Sequence, residues 1–236
     1  MDAAGYTALT RQSGLMREMQ VVANNIANIS TTGFRREGVV FEEYIKGVDD
    51  GPSLSMATGD ARVVDLSQAG VAQTGGSFDL AIQGEGFFQV QSPEGPRLTR
   101  AGSFTPQASG ELVTNDGYPL LDEGGTAVVI PPGVAKVAVS QDGTVSGDGA
   151  PLAKIGLWQP GDPLSLQHQS GTLFSADNVQ PATGGLILQG YLEDSNVQPV
   201  QEVARMIEVQ RAYELGQSFM DQEDKRMRGV IDTLGR

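Results

Sequence analysis

Apolar residues recur seven positions apart at both ends of this chain. Near the C-terminus, Met206, Tyr213, Met220, Met227 and Leu234 form one such row, joined by Val203, Ile207 and Ile231. Near the N-terminus three rows run side by side: Leu9, Met16 and Ala23; Gln12, Met19 and Ile26; Leu15, Val22 and Ile29. Seven residues make two helical turns, so each row is a stripe along one helix face. The pattern predicts a first helix from about Tyr6 to Ile29 and a last helix from about Pro199 to Leu234. At ~1.5 Å per residue the last helix is about 50 Å long, longer than a small domain is wide. Pro199 suits a helix start, and Asn196 or Ser195 suits its cap. Gly14 weakens the first helix by about 1 kcal/mol relative to alanine.

The chain between these helices has a different grammar. "FDLAIQGEGFFQV" alternates apolar and polar residues and closes on an aromatic pair. "GSFTPQASGELVTNDGYPLL" and "VAVSQDGTVSGDG" hold short apolar runs separated by "ASG", "NDG" and "QDG". Such turns between strand-like runs signal hairpins, because glycine tolerates positive φ. With 31 glycines in 236 residues, about twice the usual share of roughly 7%, a β-rich body with many turns is expected. Neither helical stripe has an obvious partner in that body, so the economical solution pairs the two ends with each other. The expected fold class is therefore mixed α and β, with N- and C-terminal helices paired as a coiled-coil stem and an intervening all-β domain. The expected divisions are 1–46 (helix and polar turn), 47–76 (irregular extended linker), 77–195 (β domain) and 196–236 (last helix). A lone helix pair still exposes apolar flanks, and such patches mark interfaces.

Charge follows the same division. Sixteen basic residues face twenty-nine acidic ones, a net charge of −13. Residues 47–195 carry five of the basic and seventeen of the acidic groups, while both ends are close to neutral. An acidic body disfavours nucleic acid and anionic membrane, and near-neutral ends pack against copies of themselves without that penalty. With no cysteine, disulfides, thiolate nucleophiles and cysteine-ligated metals are excluded. The start "MDAAGYTALTRQSG" lacks the basic and apolar regions of a secretory signal, and no apolar run nears the roughly 18 residues of a membrane span.

Residues suited to chemistry are few. His168, in "SLQHQSG", is the sole histidine and has no HExxH or GxSxG context; it reads as a loop residue. "GEGFFQ" begins like a dinucleotide loop but has Gln89 where the third glycine belongs, and no helix pattern follows. Asp49, Asp50, Asp116, Asp122, Glu123 and Asp142 lack calcium-loop spacing and read as turn and surface acids. "KRMR" at 225–228 reads as a solvated face balanced by Asp221, Glu223 and Asp224. No catalytic, cofactor-binding or metal-ligating residue is expected, and no enzyme.

Three motifs in order carry a resemblance. "ANNIANISTTGFRRE" resembles the N-terminal signature of the flagellar rod and hook proteins. "FDLAIQGEGFFQV" with the following "LTRAGSFTPQASGELVTNDGYPLL" is similar to that family's β-domain hallmark, and "QGYLEDSNVQPVQEVARMIEVQRAYELGQ" to its C-terminal signature. The resemblance implies a structural subunit of the bacterial basal-body rod, exported through the flagellar type III apparatus without a cleaved signal. It also implies terminal helices forming the inner tube and a β domain outside. Within the family, the short length, the start with Tyr6 and Thr7 and the lack of a large insertion resemble the proximal-rod branch. The distal-rod branch is the alternative, and a periplasmic cell-wall hydrolase a remote one. The implied partners are copies of itself, other proximal and distal rod proteins and the export apparatus, with neither nucleic acid nor direct membrane insertion. The implied place is the periplasm-spanning rod.

The polar cluster after the first helix allows two readings. Asn24, Asn25 and Asn28 can bond orphan helix carbonyls, with Ser30, Thr31 and Thr32 favouring local turns, Gly33 a left-handed turn and Phe34 an anchor. Alternatively, the amides also bond neighbouring subunits, the reading the family resemblance favours. The expected assembly interface comprises Leu9, Met16, Met19, Ala23, Asn24, Asn25, Ile26, Asn28, Gly33 and Phe34, together with Val203, Met206, Ile207, Tyr213, Met220 and Met227. Isolated helices are marginal, so the ends are expected to order fully on polymerisation.

Overall fold

A computed structural model describes residues 3–48 and 51–234, with side chains described over 7–40, 62–230 and at 232 and 233. Helix α1 spans Ala3–Ala27 and helix α2 spans Pro199–Leu234, both within a few residues of the extents their stripes predict. Pro199 opens α2, where its missing N–H costs nothing, and Glu202 sits in the first turn, where the helix dipole favours an acid. The Glu202 amide starts the helical ladder by donating to the Gln198 carbonyl at 3.1 Å. Between the helices the chain is built from antiparallel pairs, so the mixed α and β class holds.

The chain divides into two compact units. The helical unit comprises 1–27, 37–63 and 198–236, and the β unit 28–36 and 64–197. Part of 47–76, expected as irregular linker, is regular: strand β1 (Glu37–Val48) pairs with β2 (Gly51–Val64), and β3 (Val71–Gln73) follows. The sequence reading missed this ribbon because "DDGPS" and "ATGD" broke the period of two. Asp49 and Asp50 lie outside the described residues.

In the β unit, "FDLAIQGEGFFQV" supplies β4 (Leu80–Gln83) and β5 (Phe88–Ser92), on either side of the glycine turn. β5 pairs with β6 (Gly95–Thr99), placing Val90 opposite Arg97. β7 (Phe104–Pro106) pairs with β8 (Leu112–Thr114), and β9 (Val137–Val139) with β10 (Thr144–Gly147) across "SQDG". Gly143 takes φ +89° there, and a Cβ would lie 2.2 Å from the Ile155 carbonyl oxygen. Only glycine satisfies both conditions. Inward residues of these strands (Leu80, Ile82, Phe88, Val90, Leu112) build the main core with Leu120, Val128, Ile155 and Ile187, all fully or nearly fully buried. A smaller cluster joins Val64, Phe87, Leu98, Leu166 and Phe174.

Candidate assembly surface

Within the helical unit, α1 and α2 run antiparallel. The Gln12 side chain donates from Nε2 to the Tyr213 carbonyl at 3.0 Å. Arg205 grips Glu18 Oε1 through Nε at 2.6 Å and Nη2 at 2.5 Å. Burial alone would lower the pKa of Arg205, but the hydrogen bond and charge of Glu18, helped by Glu208, raise it. Further along, Asn25 is fully buried: its Oδ1 accepts from the Glu37 amide at 3.0 Å, and its Nδ2 donates to the Glu37 carbonyl at 2.9 Å and Glu202 Oε2 at 3.1 Å. One amide thus pairs like a strand residue with the start of β1 and ties it to both helices, which is chemistry that only Asn or Gln supplies.

Helix α1 turns Gln12, Leu15, Glu18, Val21, Val22 and Asn25 inward. The inward stripe therefore includes the row Leu15–Val22. The row Leu9–Met16–Ala23 stays exposed, with Leu9 and Met16 each at 52%. Met19, Asn24 and Ile26 are half-buried, and so are Met206, Tyr213 and Met220 on α2. Val203, Ile207 and Met227 are exposed, as are Leu215, Phe219 and Val230, which the stripe reading left out. Val209 is the last fully buried residue described on α2. A groove of ≈ 610 Å³ runs along the two helices, lined by Ala8, Arg11, Leu15, Leu215, Gly216 and Phe219.

The polar cluster turns the chain by local bonds. Thr31 donates from its amide to the Asn28 carbonyl at 3.2 Å and from its hydroxyl to Asn28 Oδ1 at 3.0 Å, and the Phe34 amide donates to the Thr31 carbonyl at 3.1 Å. Gly33 has φ +69°, and its amide donates to the Glu193 carbonyl at 2.8 Å. A Cβ on Gly33 would lie 2.3 Å from the Ala101 nitrogen. Phe34 is fully buried, edge-on to His168 at 5.4 Å, and His168 meets Phe174 at 5.1 Å. His168, expected in a loop, is thus in a short strand (Gln167–His168) as an aromatic spacer. Asn25, Gly33 and Phe34 are buried in their own chain with internal partners, and the exposed part of the expected interface lies on the helices.

Behind this turn lies a buried charge cluster that sequence reasoning missed. Glu193 forms ion pairs with Arg35 Nη2 at 2.9 Å and Arg100 Nη1 at 3.0 Å, and accepts from the Ala69 amide at 3.1 Å. All three side chains are at most 3% exposed. Arg35 also donates to the Ser67 carbonyl. Arg100 donates to the Gly84 carbonyl at 2.8 Å and stacks over Phe87 at 5.2 Å. Burial and the nearby Arg35 push Arg100 down to about 10, against the pull of Glu193. Arg35 is lowered by burial in the same way. Asn196, expected as a helix cap, instead accepts from the Arg36 amide at 2.6 Å and donates to the Asp65 and Ser67 carbonyls, each at 3.0 Å. Separations of 93 and 158 residues left no local signal for the arginine pairs with Glu193.

Among the described residues, no cluster of three or more acids and histidines could hold a metal. No described helix is long and apolar enough to cross a membrane. The geometry describes a scaffold with exposed apolar helix faces, and comparison with known proteins gives its class. Residues 6–35 match the family described as flagella basal body rod protein. Residues 81–147 match the flagellar hook protein FlgE/F/G D1 domain, and 188–233 the flagellar basal body rod FlgEFG protein C-terminal. The chain belongs to the flagellar basal-body rod protein family, whose members are structural rather than catalytic. It is 43% identical to the flagellar basal-body rod protein FlgF of Caulobacter vibrioides (strain ATCC 19089 / CIP 103742 / CB 15), covering 100% of this chain and 99% of that protein. It is 35% identical to FlgF of Mesorhizobium japonicum (strain LMG 29417 / CECT 9101 / MAFF 303099), with the same coverage. Against FlgG of Buchnera aphidicola subsp. Schizaphis graminum (strain Sg), identity is 34% over 89% of this chain and 91% of that one. The resemblance to the FlgF branch therefore extends over the whole length.

Proposed function

We propose that this chain polymerises through its paired terminal helices, acting as a coiled-coil stem, into the tubular drive shaft of the flagellar basal body. The observation that carries this reading is the exposed apolar surface of both helices. Leu9 and Met16 on α1, with Val203, Ile207, Phe219 and Met227 on α2, are each 45–52% exposed. Apolar faces this extended on a helix pair mark an interface, and thioether chains such as Met16 and Met227 repack readily against non-identical neighbours. The neighbours are copies of this chain and other rod proteins. The chain reaches them through the flagellar type III export apparatus, and its place is the periplasm-spanning rod.

The test exchanges exposed apolar residues for acids. Met16→Asp and Ile207→Asp keep the fold, because both side chains face solvent, and lose incorporation into isolated basal bodies and swimming motility. Normal incorporation of both variants contradicts the reading.

A further inference from the structure

Among the described residues, the pairing of the helices leaves one end of α2 without a stretch of α1 beside it. Gln12 lies against Tyr213 and Glu18 against Arg205, and Thr7 shares a groove with Phe219. Extending this antiparallel register at ~1.5 Å per residue puts Ala3, where α1 begins, level with the neighbourhood of Glu223. Beyond that level α2 continues to Leu234, about three turns or ~16 Å of helix with no α1 residue alongside. Met227 and Val230 stand on this overhang, 47% and 52% exposed. Its charges are mostly internal: Arg226 pairs with Glu223 at 2.7 Å and Arg228 with Asp224 at 2.8 Å. Asp232 is exposed and has no ion pair among the described residues.

The groove along the helix pair has the complementary character. Its walls are apolar, from Ala8, Leu15, Leu215 and Phe219, and Leu215 is 72% exposed. Arg11 lies at its lining, exposed and without an ion pair among the described residues. At ≈ 610 Å³, it falls in the range of pockets that hold an apolar ligand.

We propose that the overhanging end of α2 seats in this groove on a second copy of the chain, burying Met227 and Val230 against Leu215 and Phe219 and pairing Asp232 with Arg11. The contact rests on the reading of the helices as the assembly surface, and it makes that reading directional. Overhang and groove are different patches of one molecule, so the contact is heterologous. A heterologous contact whose rotation does not close propagates as an open filament and does not stop at a symmetric dimer.

The test separates the two patches. One full-length variant loses the overhang (Met227→Glu with Val230→Glu), and another loses the groove (Leu215→Glu with Phe219→Glu). Wild type elongates. Each variant alone stays monomeric in sedimentation at ten times the concentration at which wild type elongates, and the two mixed form a heterodimer that grows no further, because one intact patch remains on each. If wild type elongates and the mixture stays monomeric, this contact is wrong while assembly through the helices stands. Elongation by either variant alone overturns it, and so does a wild type that stays monomeric. The charge pair gives a check with gentler surface changes: Arg11→Glu and Asp232→Arg each weaken self-association at least fivefold, and the double reversal restores it. Because the chain has no cysteine, Ala8→Cys with Val230→Cys reports the occupant in isolated basal bodies. Disulfide-linked species at whole-number multiples of the chain's mass support a second copy, and the absence of any such species under oxidation, in basal bodies that contain the variant, overturns it.

Discussion

Asn25 is the residue on which the helical unit turns. Its single amide satisfies the backbone of Glu37 in both directions and one oxygen of Glu202. Asn25→Ala leaves a buried N–H and a buried carbonyl unpaired, at ~1–3 kcal/mol each. We expect a loss of about 3 kcal/mol in the denaturant midpoint analysis, against under about 1 kcal/mol for half-buried Asn24→Ala. A smaller gap between the two would sink the bridging role. Glu193 is the matching point of the β unit. Glu193→Gln removes the one counter-charge that two buried guanidinium groups share, and breaking a buried pair in this way costs ~3–5 kcal/mol. Such a loss appears in chemical denaturation as a lower midpoint with unchanged slope. Neither role was legible beforehand. "ANNIAN" shows three amides but not which one faces inward, and Glu193 looks like any acid in "LEDSN" until the fold brings Arg35 and Arg100 to it.

At the scale of the element, helix extents were legible and helix facing was not. The seven-residue rows located α1 and α2 to within a few residues because spacing alone fixes the period. In α1, however, three adjacent rows are largely apolar, so periodicity did not identify the inner one. The choice fell to polar partners: Gln12, Glu18 and Asn25 are drawn inward by Tyr213, Arg205 and Glu202, leaving Leu9 and Met16 outside. The β ribbon of β1 and β2 was missed because glycine, proline and acids interrupt its alternation, whereas the Asp-Gly turn at Gly143 was read correctly from its local chemistry. The two glycines of α2 make a paired prediction. Nothing lies within 4 Å of a Cβ on Gly229, so Gly229→Ala gains helix propensity, ~0.5–1 kcal/mol. A Cβ on Gly216 meets Gln12 Nε2 at 2.6 Å. Gly216→Ala therefore trades the same gain against the Gln12–Tyr213 bond, worth ~1 kcal/mol, and the net effect is near zero. Thermal unfolding of the two variants should separate by about 1–4 °C; equal midpoints would contradict the placement of Gln12.

For the whole molecule, composition narrowed the chemistry without closing it. With no cysteine and one histidine, packed here between Phe34 and Phe174, a hydrolase would have to work through a pair of carboxylates. The structural role follows from membership of the rod family, shown by full-length relatives. Single substitutions of exposed acids such as Asp116, Glu123 or Asp142 to alanine are therefore expected to leave swimming speed unchanged, whereas an enzymatic role would make at least one of them null. The account as a whole rests on apolar helix faces that one chain does not cover. Hydrogen exchange of α2 amides, compared between free protein and isolated basal bodies, tests this most directly. Residues 210–230 should exchange at least a hundredfold faster in the free chain and become protected in the rod; equal, strong protection in both states would contradict it.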